Sequence, residues 1–208
     1  MGSIEALSLA MGTAWTAGIN LYATVAALGL AGRFEMIRLP QSLEVLTNPF
    51  VIAVACIMYA IEFFADKIPF VDNGWDVLHT FIRVPAGAIL AARSLGDMSA
   101  GLEFTALLAG GSIALAAHGT KATSRLAINS SPEPFSNWIA SLVEDIAVLG
   151  GIWIIFNHPW LMLALVFVFL MLMLWIVPKI FRLAKRGFTM LRARLGSIKP
   201  EQASTSTP

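Results

Sequence analysis

Residues 66–76 read DKIPFVDNGWD, and residues 129–138 read NSSPEPFSNW. Each phrase lies between long apolar runs, and each carries Pro-Phe followed within a few residues by Asn and Trp. The surrounding chain is apolar: of 208 residues, 57% are hydrophobic and 13% charged, with a mean hydropathy of +0.75. A soluble domain carries roughly a quarter charged residues. A soluble chain of this length could not bury so much apolar surface. The sequence therefore reads as an all-α integral membrane protein, and the two polar phrases are turns between its helices.

Working outward from those turns, six transmembrane helices are expected, at about 6–32, 49–67, 74–96, 103–127, 137–157 and 160–177. The last is the clearest, because Trp160 to Val177 contains no charge and is bounded by Pro159 and Pro178. Such a run is long enough for a hydrocarbon core about 30 Å thick. Residues 1–158 then form a polytopic membrane domain with a hairpin repeated at 49–96 and 103–157. Residues 159–178 form a final transmembrane helix, and 179–208 a basic tail whose end, EQASTSTP, is disordered.

Half of the fourteen Lys and Arg residues follow Pro178: Lys179, Arg182, Lys185, Arg186, Arg192, Arg194 and Lys199. The positive-inside rule makes that tail cytoplasmic, and the interleaving of basic and apolar residues in KIFRLAKRGFTMLRARLG suits a helix lying on an anionic membrane surface. Counting back six spans puts both termini inside, at a multi-pass bacterial inner membrane. Arg33 and Arg38 then fall outside against the rule, and a re-entrant first segment is the alternative. That segment lacks a positive n-region and continues past Thr24, so it reads as retained and not as a cleaved signal. Cys56 stands alone in an apolar run, which excludes an intrachain disulfide and points to core packing. The sequon Asn129-Ser130-Ser131 is discounted because it faces the cytoplasm.

The turns have a local mechanical reading. Proline stops the incoming helix, Asp72 or Asn73 and Ser136 or Asn137 cap the outgoing one, and Trp anchors it at the interface. The charges ask for more. Glu62 and Asp66 share one face of their helix, as do Asp76, His79 and Arg83, then His118, Lys121 and Arg125, then Asn137, Ser141 and Glu144, with Asp145 beside them. Arg83, Glu144 and Asp145 fall roughly 9 to 12 Å below the interface at about 1.5 Å per residue. An unpaired charge there costs at least about 2.5 kcal/mol, so a pairing of Arg83 with Glu144 or Asp145 across the repeat is expected. In the first helix, Thr13, Thr16, Asn20 and Thr24 form another polar strip, with Gly12 and Gly18 permitting close approach or local unwinding. Ser, Thr and Asn often do no more than hydrogen-bond neighbouring helices. Strips converging from several helices nevertheless describe a polar vestibule between an interrupted first helix and two hairpins.

AGINLYAT (17–24), EFFADKIPFVD (62–72), WDVLHTFIR (75–83), HGTKATSR (118–125), SPEPFSNW (131–138) and LVED (142–145) together resemble a bacterial membrane-protein family known as domain of unknown function 4126. The resemblance covers about residues 10–158 and implies a multi-span membrane protein with no established activity. The functional expectation therefore rests on the residues. A transporter or channel for a small ion or polar solute is expected, with Asn20, Glu62, Asp66, Asp76, His79, Arg83, His118, Lys121, Arg125, Asn137, Glu144 and Asp145 binding the ion or relaying protons. Two alternatives are flipping of a phosphorylated carrier lipid by Arg83, Lys121 and Arg125, and an assembly subunit of a membrane complex. The sequence contains no HExxH, P-loop or GxSxG motif, so no catalytic residue and no cofactor is expected, and a metal remains unassigned. The expected partners are the lipid bilayer, the transported ion or solute and a second copy of the chain, with no nucleic acid.

Overall fold

The computed structural model describes residues 2–129 and 134–196. The SSPE part of the second phrase (130–133), which holds the sequon's serines, and the EQASTSTP tail lie outside those residues. Among the described residues the elements are α1 (Ser3–Ile19), α2 (Leu21–Arg33), a 3-10 helix (Gln41–Thr47), α3 (Pro49–Ala65), α4 (Pro69–Ser94), α5 (Ala100–Asn129), α6 (Pro134–Asn157) and α7 (Pro159–Gly196), with no strand. Three helical stretches are long and apolar enough to cross a membrane: Ala100–Asn129, Phe135–Asn157 and Pro159–Lys179. A fourth is reached if the 3-10 helix and α3, bent by 65°, count as one span.

The distribution of polarity is that of a protein in lipid. On α4, Phe81 is 79% exposed and Val77 and Leu78 are exposed, whereas Asp72, Asp76, His79 and Arg83 are buried. Hydrocarbon offers polar groups no partner, so they turn inward while apolar side chains face out. Cys56 follows the same rule. It is exposed, and the expectation that it packs in the core fails because an apolar run in a membrane helix faces lipid as readily as protein.

Pro69 begins α4 and Pro134 begins α6. Proline suits the first helical position, where its missing N–H would have no partner in any case. The expected caps are thereby displaced: Asp72, Asn73, Ser136 and Asn137 sit inside the first turns, and Ile68 takes the cap position of α4 without a side-chain bond. Trp75, expected to anchor at the interface, instead stacks on the His79 ring at 4.2 Å.

The first helix is interrupted at one residue. Asn20 adopts an extended backbone (φ −146°, ψ 101°), its side chain accepts from the Ala23 N–H at 2.9 Å, and its carbonyl accepts from the Thr24 hydroxyl at 2.8 Å. α1 packs mainly on α4, α5 and α6, and α2 packs on α3 and the 3-10 helix. Thr13 reaches Ser94 at the end of α4, whereas Tyr22 reaches His79, about 15 residues or roughly 22 Å earlier on that helix. Gly29 then lies against the Leu46 carbonyl and Ile52, and Ser42 in the same 3-10 helix donates to the Arg93 carbonyl. The chain thus runs inward from the Ser94 end to the level of His79 and returns, with Asn20 at the tip. A β-carbon on Gly18 would strike Ala114 and Ala117 of α5, so the expected close approach is realised there. The α4–α5 contact is closer still, since Gly110 faces Ala91 with no room for a side chain.

The chain divides into two compact units, residues 1–168 and 169–208. The first contains α1 to α6 and the beginning of α7. In the second, α7 passes through Pro178 without ending, so the span expected to stop at Val177 continues as helix. Lys179 lies over the Trp175 ring there, 3.0 Å from its centre.

Candidate functional site: a buried ion-pair network

Four helices contribute one polar face each, and the faces meet at the end where α3 hands over to α4 and α5 to α6. The last turns of α3 supply Glu62, and Asp66 follows directly. α4 supplies Asp76, His79 and Arg83, the second half of α5 His118, Lys121 and Arg125, and the first half of α6 Asn137, Ser141, Glu144 and Asp145. All of these except Glu144 are buried, and Glu144 keeps 16% of its side chain accessible.

Arg83 donates to Glu62 Oε1 at 2.6 Å and to Asp76 Oδ1 at 3.1 Å. Lys121 bridges Glu62 (3.3 Å), Asp66 (3.1 Å) and Glu144 (3.2 Å). Arg125 holds Glu144 at 2.7 Å and Asp66 at 3.4 Å, and also donates to the carbonyls of Asp66 and Asn137. The expected pairing of Arg83 with Glu144 or Asp145 is therefore corrected. Among the described residues Arg83 pairs within the first hairpin, and Lys121 and Arg125 carry the link to Glu144. Arg83 is fully buried, and its short connection to Glu62 comes from the neighbouring helix of its own hairpin. Breaking a buried pair by removing one partner costs about 3–5 kcal/mol, because the other charge is left uncompensated.

The bonds of the two histidines orient both rings and write His118 as neutral. Arg83 donates to His118 Nδ1 at 3.0 Å, so the ring proton sits on Nε2, which donates to the Asp76 carbonyl at 3.1 Å and to Thr80 Oγ1 at 2.7 Å. The Thr80 hydroxyl passes its own proton to the same carbonyl. In His79 the Nδ1–H donates to the Trp75 carbonyl at 2.8 Å, and Nε2 shares a hydrogen bond with the Tyr22 hydroxyl at 3.0 Å. That bond connects the α1–α2 break to the network, although among the described residues Asn20 itself makes only local bonds.

Several participants escape sequence reasoning. Tyr22 lies two residues past Asn20. Tyr59 lies close to Asp145 and shares the i, i+3, i+7 face with Glu62 and Asp66. Asp72 accepts from Asn129 at 2.9 Å. The spacing of 72, 76, 79 and 83 and that of 118, 121, 125 and 129 each extend a recognised face by one turn. Asp72 and Asn129 were therefore within reach of the pattern.

Not every polar atom in the network finds a partner. Glu62 Oε2, Asp66 Oδ1, Asp72 Oδ1, Asp76 Oδ2 and both polar atoms of the Asn137 carboxamide are buried without a hydrogen bond. Among the described residues, no three His, Cys, Asp or Glu side chains converge in the manner of metal ligands.

A helical membrane protein with its charges gathered inside and its apolar side chains outward is the class that this fold and site define. Within that class, the chain belongs to the family described as Domain of unknown function (DUF4126), whose profile matches residues 7–179. The match continues beyond residue 158, so the last apolar span, expected to fall outside the family, is part of it. No curated protein and no solved structure matches the chain.

Proposed function

We propose that the protein is a membrane transporter or channel for a small cation, which it handles through the buried network. The observation that carries this reading is an excess of carboxyl groups over cations in the network, five of the six carboxyl groups being buried and Glu144 nearly so. Glu62, Asp66, Asp72, Asp76, Glu144 and Asp145 face Arg83, Lys121 and Arg125. A purely structural network would be expected to balance, because uncompensated charge in a low dielectric is costly. Unpartnered carboxylate oxygens in such a place leave positions at which a positive charge is stabilised. The interrupted helix supports the same reading, since backbone is broken at membrane depth where it meets other protein or an aqueous path.

On this reading α3 to α7 cross the bilayer, and α1 and α2 form the re-entrant alternative to a sixth crossing. The two Pro-Phe hairpins are copies of one unit, and the basic tail faces the cytoplasm of a bacterial inner membrane. Flipping of a phosphorylated lipid is disfavoured because each of the three buried cations is already held by at least two carboxylates.

The test is a thermal-stability screen of the purified protein against monovalent and divalent cations, anions, neutral solutes and phosphorylated lipids. Ligands of the folded state raise the melting temperature by mass action. The expected result is stabilisation by a cation or by a change of pH that Glu62→Gln abolishes. Stabilisation by phosphorylated lipid alone would overturn the reading in favour of the flippase.

A further inference from the structure

Asp72 stands apart from the paired carboxylates. It shares the inward face of α4 with Asp76, His79 and Arg83 and is fully buried. No Lys or Arg among the described residues forms an ion pair with it. Its Oδ2 accepts from Asn129 Nδ2 at 2.9 Å, and its Oδ1 has no hydrogen-bond partner.

The groups that face it are Asp66 from the end of α3, Asp76 from its own helix, and Arg125 and Asn129 from α5. Two of these are carboxylates, and Arg125 is committed to Glu144, Asp66 and two backbone carbonyls. A second observation comes from α6. The Asn137 carboxamide is 1% exposed with neither its oxygen nor its nitrogen bonded, while the Asn137 carbonyl accepts from Arg125 at 3.1 Å. The residue that carries this unsatisfied amide thus bonds, through its backbone carbonyl, the same guanidinium whose charge acts on Asp72. A buried carboxylate without a cation is neutralised by protonation more readily than it stays charged.

We infer that Asp72 is the group on which the network takes up and releases a proton, so that the small cation is H+. The proton forms an O–H bond at Oδ1 on arrival and breaks it on departure, with no other covalent change. Asn129 steadies the other oxygen, and Asp76, one turn deeper, hands the site on to Arg83 and His118. This inference deepens the transport reading and rests on it for its purpose, but not for its test.

Infrared difference spectroscopy of the full chain in nanodiscs, titrated over pH, reads the carboxylic acid C=O band directly and requires no transport. The expected result is a protonated-carboxyl band in the wild type that shifts in D2O, is lost in Asp72→Asn and is kept in Asp145→Asn. A wild type without such a band overturns the inference, as does a band that survives Asp72→Asn. Should Asp72→Asn fail to fold, Asn129→Ala decides the matter. Removing a donor to the carboxylate favours the neutral form, so the band should persist to higher pH, and an unchanged titration overturns the assignment. A wild type that shows the band yet moves no protons in liposomes would keep Asp72 as the proton carrier and discard the transport reading.

Discussion

α4 and α5 run side by side with two different ends. From Asp72 to Arg83, and from His118 to Asn129, they face ion pairs and directed hydrogen bonds. From Ala91 to Leu95, and from Leu102 to Ile113, they line an apolar cavity of about 200 Å³ that also touches Leu7, Ala10 and Met11 of α1. At the apolar end, position is set by size: Gly110 lets α5 approach Ala91, and small side chains leave space that larger ones could fill. At the charged end, position is set by partners, and Lys121 alone binds three carboxylates from two other helical segments. Packing tolerates gradual change, whereas a buried ion network loses its balance when one member goes.

The contrast predicts a ranking of damage. Arg83→Met should be the most harmful change, because it strands Asp76 in a buried site and leaves Glu62 with Lys121 alone. A loss of about 3–5 kcal/mol in denaturant unfolding is expected. The triple variant Arg83→Met with Glu62→Gln and Asp76→Asn should recover part of that loss, and no recovery would mean that Arg83 acts through packing alone. Next comes Gly110→Leu, which forces α5 away from α4. It should cost about 1–3 kcal/mol in the same measurement, and a neutral outcome would show that the apolar end is loosely held.

Asn20→Ala removes the cap at the break between α1 and α2. A loss of about 1 kcal/mol is expected, accompanied by faster amide exchange at Ala23 and Thr24. Smallest of all, Ala109→Leu projects into the apolar cavity and should stabilise by about 0.5–1 kcal/mol while leaving the response to cations unchanged. A cation response altered by Ala109→Leu would show that the two ends are coupled and would dissolve the contrast.

Much of the charged end was legible because helical periodicity assigns residues to faces. Asp76, His79 and Arg83 share one, as do His118, Lys121 and Arg125, and the structure brings both into a single cluster. Partnership across helices was not legible. A face fixes the direction in which Arg83 points, but the choice of Glu62 over Glu144 depends on how the hairpins dock. The return of the chain at Asn20 stood only as an alternative reading for a related reason. Hydropathy is blind to direction, and one residue of extended backbone reverses a segment without altering its apolar count. The prolines misled in a small way, since Pro69 and Pro134 open their helices and so turn the expected caps into first-turn residues. Cys56 misled because lipid and protein interior are equally apolar.

The central claim is that the buried carboxyl excess serves cation handling and not merely cohesion of the helices. It is tested most directly by reconstituting the protein in liposomes and following internal pH and monovalent cation content under an imposed gradient, with Glu62→Gln and Ala109→Leu alongside. The account predicts flux in the wild type, flux retained in Ala109→Leu, and flux lost in a folded Glu62→Gln. Folded wild-type protein that carries neither protons nor monovalent cations, or a Glu62→Gln variant that conducts as well as the wild type, would contradict it.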